Sequence, residues 1–245
     1  MTQSKVPTKG FTLIELLVVI VITGILVGIA LPAMNRLVAS QRINNRAEQL
    51  QALIQFARSE AVRTNKPVLI CPSVIRKEVA TNNACTTFNA YNDGKGWQGF
   101  LAFNDTNLNG EYDAGKDSTV RVVALNQNSS DESNNQNSSN NSKIKVKITQ
   151  KIICAANNSN CKTTLDDKEM LGFLPNGQFG IGFGKDSSNW SLAQSYFVIE
   201  LNDSKYTNII NRIIILPSGN VISCSKYANS NNDLCSEDIS SKKTS

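Results

Sequence analysis

From Leu16 to Asn35 the chain runs for twenty residues without a charge, LLVVIVITGILVGIALPAMN. An α-helix needs about 20 predominantly apolar residues to cross the hydrocarbon of a bilayer, so this stretch reads as a membrane span. Two features separate it from an ordinary anchor or secretory signal. Glu15 sits in the apolar run that begins at Phe11, although a carboxylate near a bilayer centre costs roughly 2.5 to 3.5 kcal/mol on insertion scales and marks function. A Glu that reaches the headgroups and a Glu that meets a cation are both compatible with the position. The second feature is that Lys5, Lys9 and Gly10 precede the run. A conventional signal peptide carries its small-residue cleavage site behind the apolar segment and loses the segment on removal; a cut at Gly10 keeps it.

Past the span the apolar positions Ile43, Ala47, Leu50, Leu53, Ile54, Ala57 and Ala61 recur at the spacing of one helical face. No Gly or Pro intervenes after Pro32 until Pro67. A helix from Phe11 to about Thr64 would measure about 80 Å at 1.5 Å per residue. Arg42, Arg46, Gln49, Arg58 and Arg63 occupy the opposite face, as a solvated side would. Gly24 and Gly28 form a Gly-x-x-x-Gly step, which either admits a second helix closely or reflects the ordinary frequency of Gly in spans. Pro32 removes a backbone hydrogen bond and loosens the turn before it.

Beyond Pro67 the pattern changes to short β-type runs separated by Gly and Asn. Strands are expected at Val68 to Cys71, Trp97 to Asn104, Val120 to Leu125, Lys143 to Thr149, Tyr196 to Asn202, Arg212 to Leu216 and Asn220 to Cys224. The resulting expectation is an α+β chain: a long N-terminal helix, half transmembrane and half amphipathic, packed on an antiparallel sheet or sandwich. Residues 126–142 hold only Asn, Gln, Ser, Asp and Glu and cannot bury enough surface to order themselves, so they read as a disordered loop. Residues 236–245 read as a flexible tail.

All six cysteines, Cys71, Cys85, Cys154, Cys161, Cys224 and Cys235, lie beyond the span. An even number outside a membrane reads as disulfides in an oxidising compartment. Zinc would need Cys/His spacings, and the chain has neither a C-x-x-C pair nor any His. Separations of 14, 7 and 11 residues favour Cys71 with Cys85, Cys154 with Cys161 and Cys224 with Cys235. The missing His also removes the common general base and every Ser-His or Cys-His nucleophile arrangement, so no enzyme and no cofactor are expected. A formal charge of +5 is mild and does not call for nucleic acid.

Asp105-Thr-Asn-Leu-Asn-Gly-Glu-Tyr-Asp113 places oxygen side chains at Asp105, Asn107 and Asn109 before a Gly, as a calcium loop does. Lys116 stands where that loop needs its bidentate Glu; Asp113 or Asp117 would have to substitute. A tight hairpin turn is the preferred reading. Trp97, Phe100 and Phe103 lack the interleaved cations of a single-strand binding platform and read as core.

Gly10-Phe11-Thr12-Leu13-Ile14-Glu15 resembles the signal of type IV prepilins and type II secretion pseudopilins, and the β-rich remainder is similar to heads of the GspH/FimT group. The resemblance implies cleavage by a prepilin peptidase after Gly10 and N-methylation of Phe11. It implies a leader over 1–10, a transmembrane and filament-core helix over 11–34, its amphipathic continuation over 35–65, and a disulfide-bonded head over 66–235. Glu15 would neutralise the N-terminal amine of a neighbouring subunit, and Pro32 would lie where the helix partly melts on assembly. The expected partners are other major and minor pilins, the peptidase and the inner membrane. The expected location is single-pass with a periplasmic head, then a surface pilus. Members that bind DNA carry a Gly-Arg-x-Arg strand; here Gly219-Asn220-Val221-Ile222 puts Asn and Ile in place of both cations, which removes the counterion release behind such binding and disfavours DNA as a partner.

Overall fold

The computed structural model describes residues 10, 12–73, 85, 99–125, 144–150, 169–183, 191–192, 196–225 and 235. The chain divides into two units, Met1–Ala39 and Ser40–Ser245. One continuous helix, α1 (Leu13–Thr64), contributes to both, Pro32 included. In the first unit every side chain from Leu13 to Leu31 is exposed, and the helix is long and apolar enough to cross a membrane.

In the second unit α1 buries Ile43, Ala47, Leu50, Leu53, Ile54, Ala57 and Ala61, each at 1 % exposure or less. This is the face expected from the 3.6-residue period. The helix ends where Thr64 donates its hydroxyl to the Glu60 carbonyl and Asn65 takes a left-handed φ of 52°. Asn tolerates that conformation at a helix end, and Pro67 just beyond prevents continuation.

Among the described residues ten strands follow: β1 (Val68–Ser73), β2 (Gly99–Asn104), β3 (Ser118–Ala124), β4 (Ile144–Gln150), β5 (Glu169–Phe173), β6 (Phe179–Phe183), β7 (Ser191–Leu192), β8 (Phe197–Asp203), β9 (Ile210–Ile215) and β10 (Val221–Ser225). They form a six-stranded sheet ordered β3-β2-β1-β5-β6-β7 and a four-stranded sheet ordered β10-β9-β8-β4. Every strand pairing is antiparallel. The fold is α+β, one long helix with antiparallel sheets, as expected.

All seven expected strands form, each with ends within two residues where the structure describes them. β5, β6 and β7 were not anticipated. Gly172, Gly180 and Gly182 interrupt the apolar alternation of β5 and β6, and glycine weakens the strand signal because it offers no side chain to pack. Pairing across the sheet supplies what local sequence lacks: Gly172 lies opposite Gly180, between the pairs Leu171–Ile181 and Phe173–Phe179.

Aromatic rings join the two sheets. Phe173 and Phe179 of the first lie 5.5 Å apart, and Phe179 lies 5.9 Å from Phe197 of the second. Phe100 and Phe103 are fully buried, so these two take the core reading rather than that of a stacking surface. Trp97 lies outside the described residues. Between Ala102 and Phe103 the register of β2 with β3 shifts, because Val120 is an extra residue in β3 and forms a bulge.

Cys71 is bonded to Cys85 and Cys224 to Cys235, with Cα separations of 5.5 and 5.6 Å. Both agree with the local pairing expected. Cys154 and Cys161, the loop 126–142, the tail 236–245 and Phe11 fall outside the described residues.

Candidate functional site

At the head of α1, Thr12 caps the helix. Its carbonyl accepts the N–H of Glu15 at 3.1 Å and of Leu16 at 3.2 Å, and its hydroxyl accepts Glu15 N–H at 3.3 Å. Thr12-Leu-Ile-Glu15 is thus an S/T-x-x-E capping signature, a signal in the sequence that membrane considerations alone pass over. Glu15 lies in the first turn, where the helix dipole favours a negative charge. The same residue that is costly in lipid is therefore useful to the helix that carries it. Gly10 is exposed. Gly24 and Gly28 have no atom within 4 Å of where a Cβ would stand, so that surface is open.

The turn after β2 holds its carboxylates on backbone donors. Asp105 accepts N–H groups of Asn109 at 3.1 Å and Gly110 at 2.8 Å. Asp117 accepts those of Thr106 at 2.9 Å and Asp113 at 2.7 Å. Asn107 and Asn109 turn their amide nitrogens toward Asp113, at 2.7 and 2.8 Å. Among the described residues no group of three or more His, Cys, Asp or Glu is arranged to hold a metal ion. Burial pushes the Asp105 carboxyl above its ordinary range, and the negative charge of Asp117 adds to this, against the opposing N–H bonds.

A second constellation was not foreseen. Leu174-Pro-Asn-Gly-Gln178 joins β5 to β6, and Leu216-Pro-Ser-Gly-Asn220 joins β9 to β10. The two turns share a hydrogen-bond pattern. Gly177 N–H donates to Leu174 O and Leu174 N–H to Gln178 O, just as Gly219 N–H donates to Leu216 O and Leu216 N–H to Asn220 O. Both glycines are left-handed, at φ 79° and 81°. The turns touch: Phe179 N–H donates to Pro217 O at 3.3 Å. Arg58 of α1 spans them, Nε donating to Gly177 O at 3.1 Å and a terminal guanidinium nitrogen to Asn220 Oδ1 at 2.9 Å. One guanidinium thus ties the helix to a turn of each sheet. The repeated Leu-Pro-x-Gly-amide sequence is the signal that could have revealed the pair. Asn220, where a phosphate-binding cation would stand by resemblance, serves this internal contact instead.

At the other end of the amphipathic segment, buried Asp203 accepts the Arg42 guanidinium at 3.3 Å. Asn211 donates its amide to Asn44 at 3.1 Å.

Comparison with known proteins gives two family matches: the prokaryotic N-terminal methylation motif over residues 7–31 and the type II transport protein GspH over residues 46–146. The chain is 34 % identical over 111 residues to the pilin-like protein PilA1 of Thermus thermophilus, covering 44 % of this chain and 56 % of PilA1. It is 41 % identical over 59 residues to the type II secretion system protein H of Pseudomonas aeruginosa, covering 24 % of this chain and 34 % of that protein. The chain therefore spans about half the length of the first relative and a third of the second. The crystal structure of the type IV minor pilin FimU of P. aeruginosa aligns over 74 % of this chain and 90 % of FimU, at 14 % identity and a TM-score of 0.38. The chain is thus similar, each time over less than half of its length, to the N-terminal methylation motif on its capped apolar helix, to GspH over the amphipathic helix and first strands, and to PilA1.

Proposed function

We propose that the chain is a minor pilin, a structural subunit rather than a catalyst, that enters a type IV pilus after cleavage at Gly10 and N-methylation of Phe11 and primes or caps its tip. The observation that carries this reading is the helix itself. From Leu13 to Leu31 it presents apolar side chains all round, with one carboxylate, Glu15, in its first turn. Held singly in a membrane, that stretch is an anchor; gathered with others of its kind, it is a filament core. Glu15 then meets the amine of a neighbouring subunit, which balances a charge that lipid and apolar helices would otherwise leave unpaired. The head stands on the periplasmic side until assembly.

A second reading has its own support. The GspH match and the type II secretion relative favour a pseudopilin of a secretion system, which would use the same anchor and the same Glu15. A DNA receptor is disfavoured, since Asn220 and Ile222 replace its cations and Arg58 engages Asn220.

The test is a blot of membrane and sheared-pilus fractions from cells carrying Gly10→Val or Glu15→Ala. Gly10→Val leaves an uncut, membrane-retained precursor. Glu15→Ala is cut and inserted but reaches the sheared fraction at a small share of the wild-type amount. Normal incorporation of Glu15→Ala refutes the pairing, and accumulation of its precursor assigns Glu15 to peptidase recognition instead. Loss of secretion with no sheared filament selects the pseudopilin reading.

A further inference from the structure

Both sheets carry an apolar cluster on the face turned away from α1. Side chains alternate between the two faces of a strand, and residues in register share a face. Ile70 lies in register with Ala102, and Ala102 with Arg121. Arg121 stands over the ring of Phe56 on α1, so Leu69 and Cys71 face outward, where they form a buried cluster with Leu101 and Phe103. In the four-stranded sheet Asn211 reaches Asn44 of α1. Ile214, three residues on, therefore faces outward and forms a second buried cluster with Tyr196, Val198 and Cys224. An antiparallel sheet commonly leaves such a face to water, and beside each cluster the face is open. Val122, in register with Leu101, is 46 % exposed, and Arg212 and Glu200 form a partly exposed ion pair at 2.8 Å.

Each cluster holds one cysteine of a disulfide, and the other cysteine packs on it from outside the strand. Cys85 packs against the first cluster beside Tyr112 and Met170, and Cys235 against the second beside Leu216 and Ile222. Cys85 also meets Ser73 in a single backbone bridge, a pairing too small to hold a segment by itself. The stretches leading to the covering cysteines include RKE at 76–78, TNN at 81–83 and NSNND at 229–233. Polar side chains of that kind gain nothing from lying on an apolar face, so the covalent bond supplies the hold that the intervening sequence does not.

We infer that Cys71–Cys85 and Cys224–Cys235 are redox-held covers. Oxidised, each keeps an apolar patch on the outside of the head closed; reduced, each lets its patch open to water while the core between α1 and the sheets stays packed, a local rather than a global opening. A dithiol reductant delivers two electrons and two protons to a bridge, which becomes two thiols, and is itself closed to a disulfide. The head thus closes its exterior on oxidation. A subunit whose thiols have not yet been oxidised by a disulfide donor displays two apolar surfaces of the kind that associate rather than remain in water.

The test is hydroxyl-radical footprinting of the full chain in detergent micelles, read residue by residue by tandem mass spectrometry, before and after dithiothreitol. Phe56, 44 % exposed, and Phe173, fully buried on the inner face, serve as internal standards. In the oxidised chain Phe103, equally buried, should label as little as Phe173. After reduction Phe103 should rise toward the level of Phe56, with Leu101 and Tyr196 rising in parallel, while Phe173 and Phe197 stay low. Cys71→Ser with Cys85→Ser should uncover Leu101 and Phe103 without Tyr196, and Cys224→Ser with Cys235→Ser should uncover Tyr196 without the other two. Unchanged labelling on reduction overturns the inference, because the clusters are then covered without the bridges. Equal rises at Phe173 and Phe197 overturn it as well, because the disulfides then hold the whole fold rather than a cover.

Discussion

The contact between the twin turns yields a sharp comparison among three glycines. Gly115, Gly177 and Gly219 all have positive φ, at 88°, 79° and 81°, so Ala at any of them costs about 1 to 2 kcal/mol for the left-handed conformation alone. They differ in surroundings. A Cβ on Gly115 meets nothing within 4 Å, and one on Gly177 meets Arg58 Nε and Val62 Cγ2 at 3.4 Å, an ordinary contact. One on Gly219 would lie 2.5 Å from Gly177 O and 2.9 Å from Arg58 Nε. The first of these is backbone and cannot swing aside, so the turns must separate. Overpacking of this kind adds about 1 to 3 kcal/mol, and displacement of Arg58 weakens two bonds from a charged donor, each worth up to about 1.5 to 3 kcal/mol where water is excluded and less at this half-exposed site. Gly219→Ala should therefore cost about 3 to 5 kcal/mol against about 1 to 2 for Gly115→Ala. At about 2 to 4 °C per kcal/mol for a chain of this size, the two melting temperatures should differ by about 5 to 10 °C. Thermal unfolding of the full chain in detergent micelles, followed by near-ultraviolet circular dichroism, measures this. Gly177→Ala should melt close to Gly115→Ala. Equal melting of Gly115→Ala and Gly219→Ala would show that the turns are not in contact and refute the reasoning.

Two further outcomes are expected. Replacing Cys71 and Cys85 together by Ala should cost about 3 kcal/mol, the chain-entropy value for a loop of this length, with sequence separation 14, and non-reducing peptide maps should recover Cys71–Cys85, Cys224–Cys235 and the expected Cys154–Cys161; long-range pairs would contradict the local scheme. The Asp105 carboxyl should titrate above its ordinary value of 3.8, burial being the chief cause. Because its folded value is raised, the native state holds the proton more tightly than the unfolded chain. Its contribution to stability is present below 3.8 and is lost as pH rises through the folded value; a carbon-13 titration midpoint at or below 3.8 would contradict this.

What the sequence determined by itself is what short-range physics controls. Twenty uncharged residues bounded by Glu15 and Arg36 make a stretch long and apolar enough to cross a membrane. The seven positions from Ile43 to Ala61 repeat at the helical period and are the positions found buried. The cysteine pairs at separations of 14 and 11 are the ones found bonded. Asp, Asn and Gly at 105–110 announce a turn through their own side-chain bonds to the backbone. Tertiary structure decided the rest, because the partners lie far apart in the chain. Gly-rich β5 and β6 carry no alternation that would mark them locally, and they become strands by pairing with each other and with β1. Nothing near Arg58 in sequence points to Gly177 or Asn220, which lie 119 and 162 residues away. Arg42 likewise reads as one more solvated cation until folding brings Asp203 to it across 161 residues. A helical face records which side chains leave water, but the choice of acceptor for a charge on its border is made only when two sheets deliver their turns to the same place.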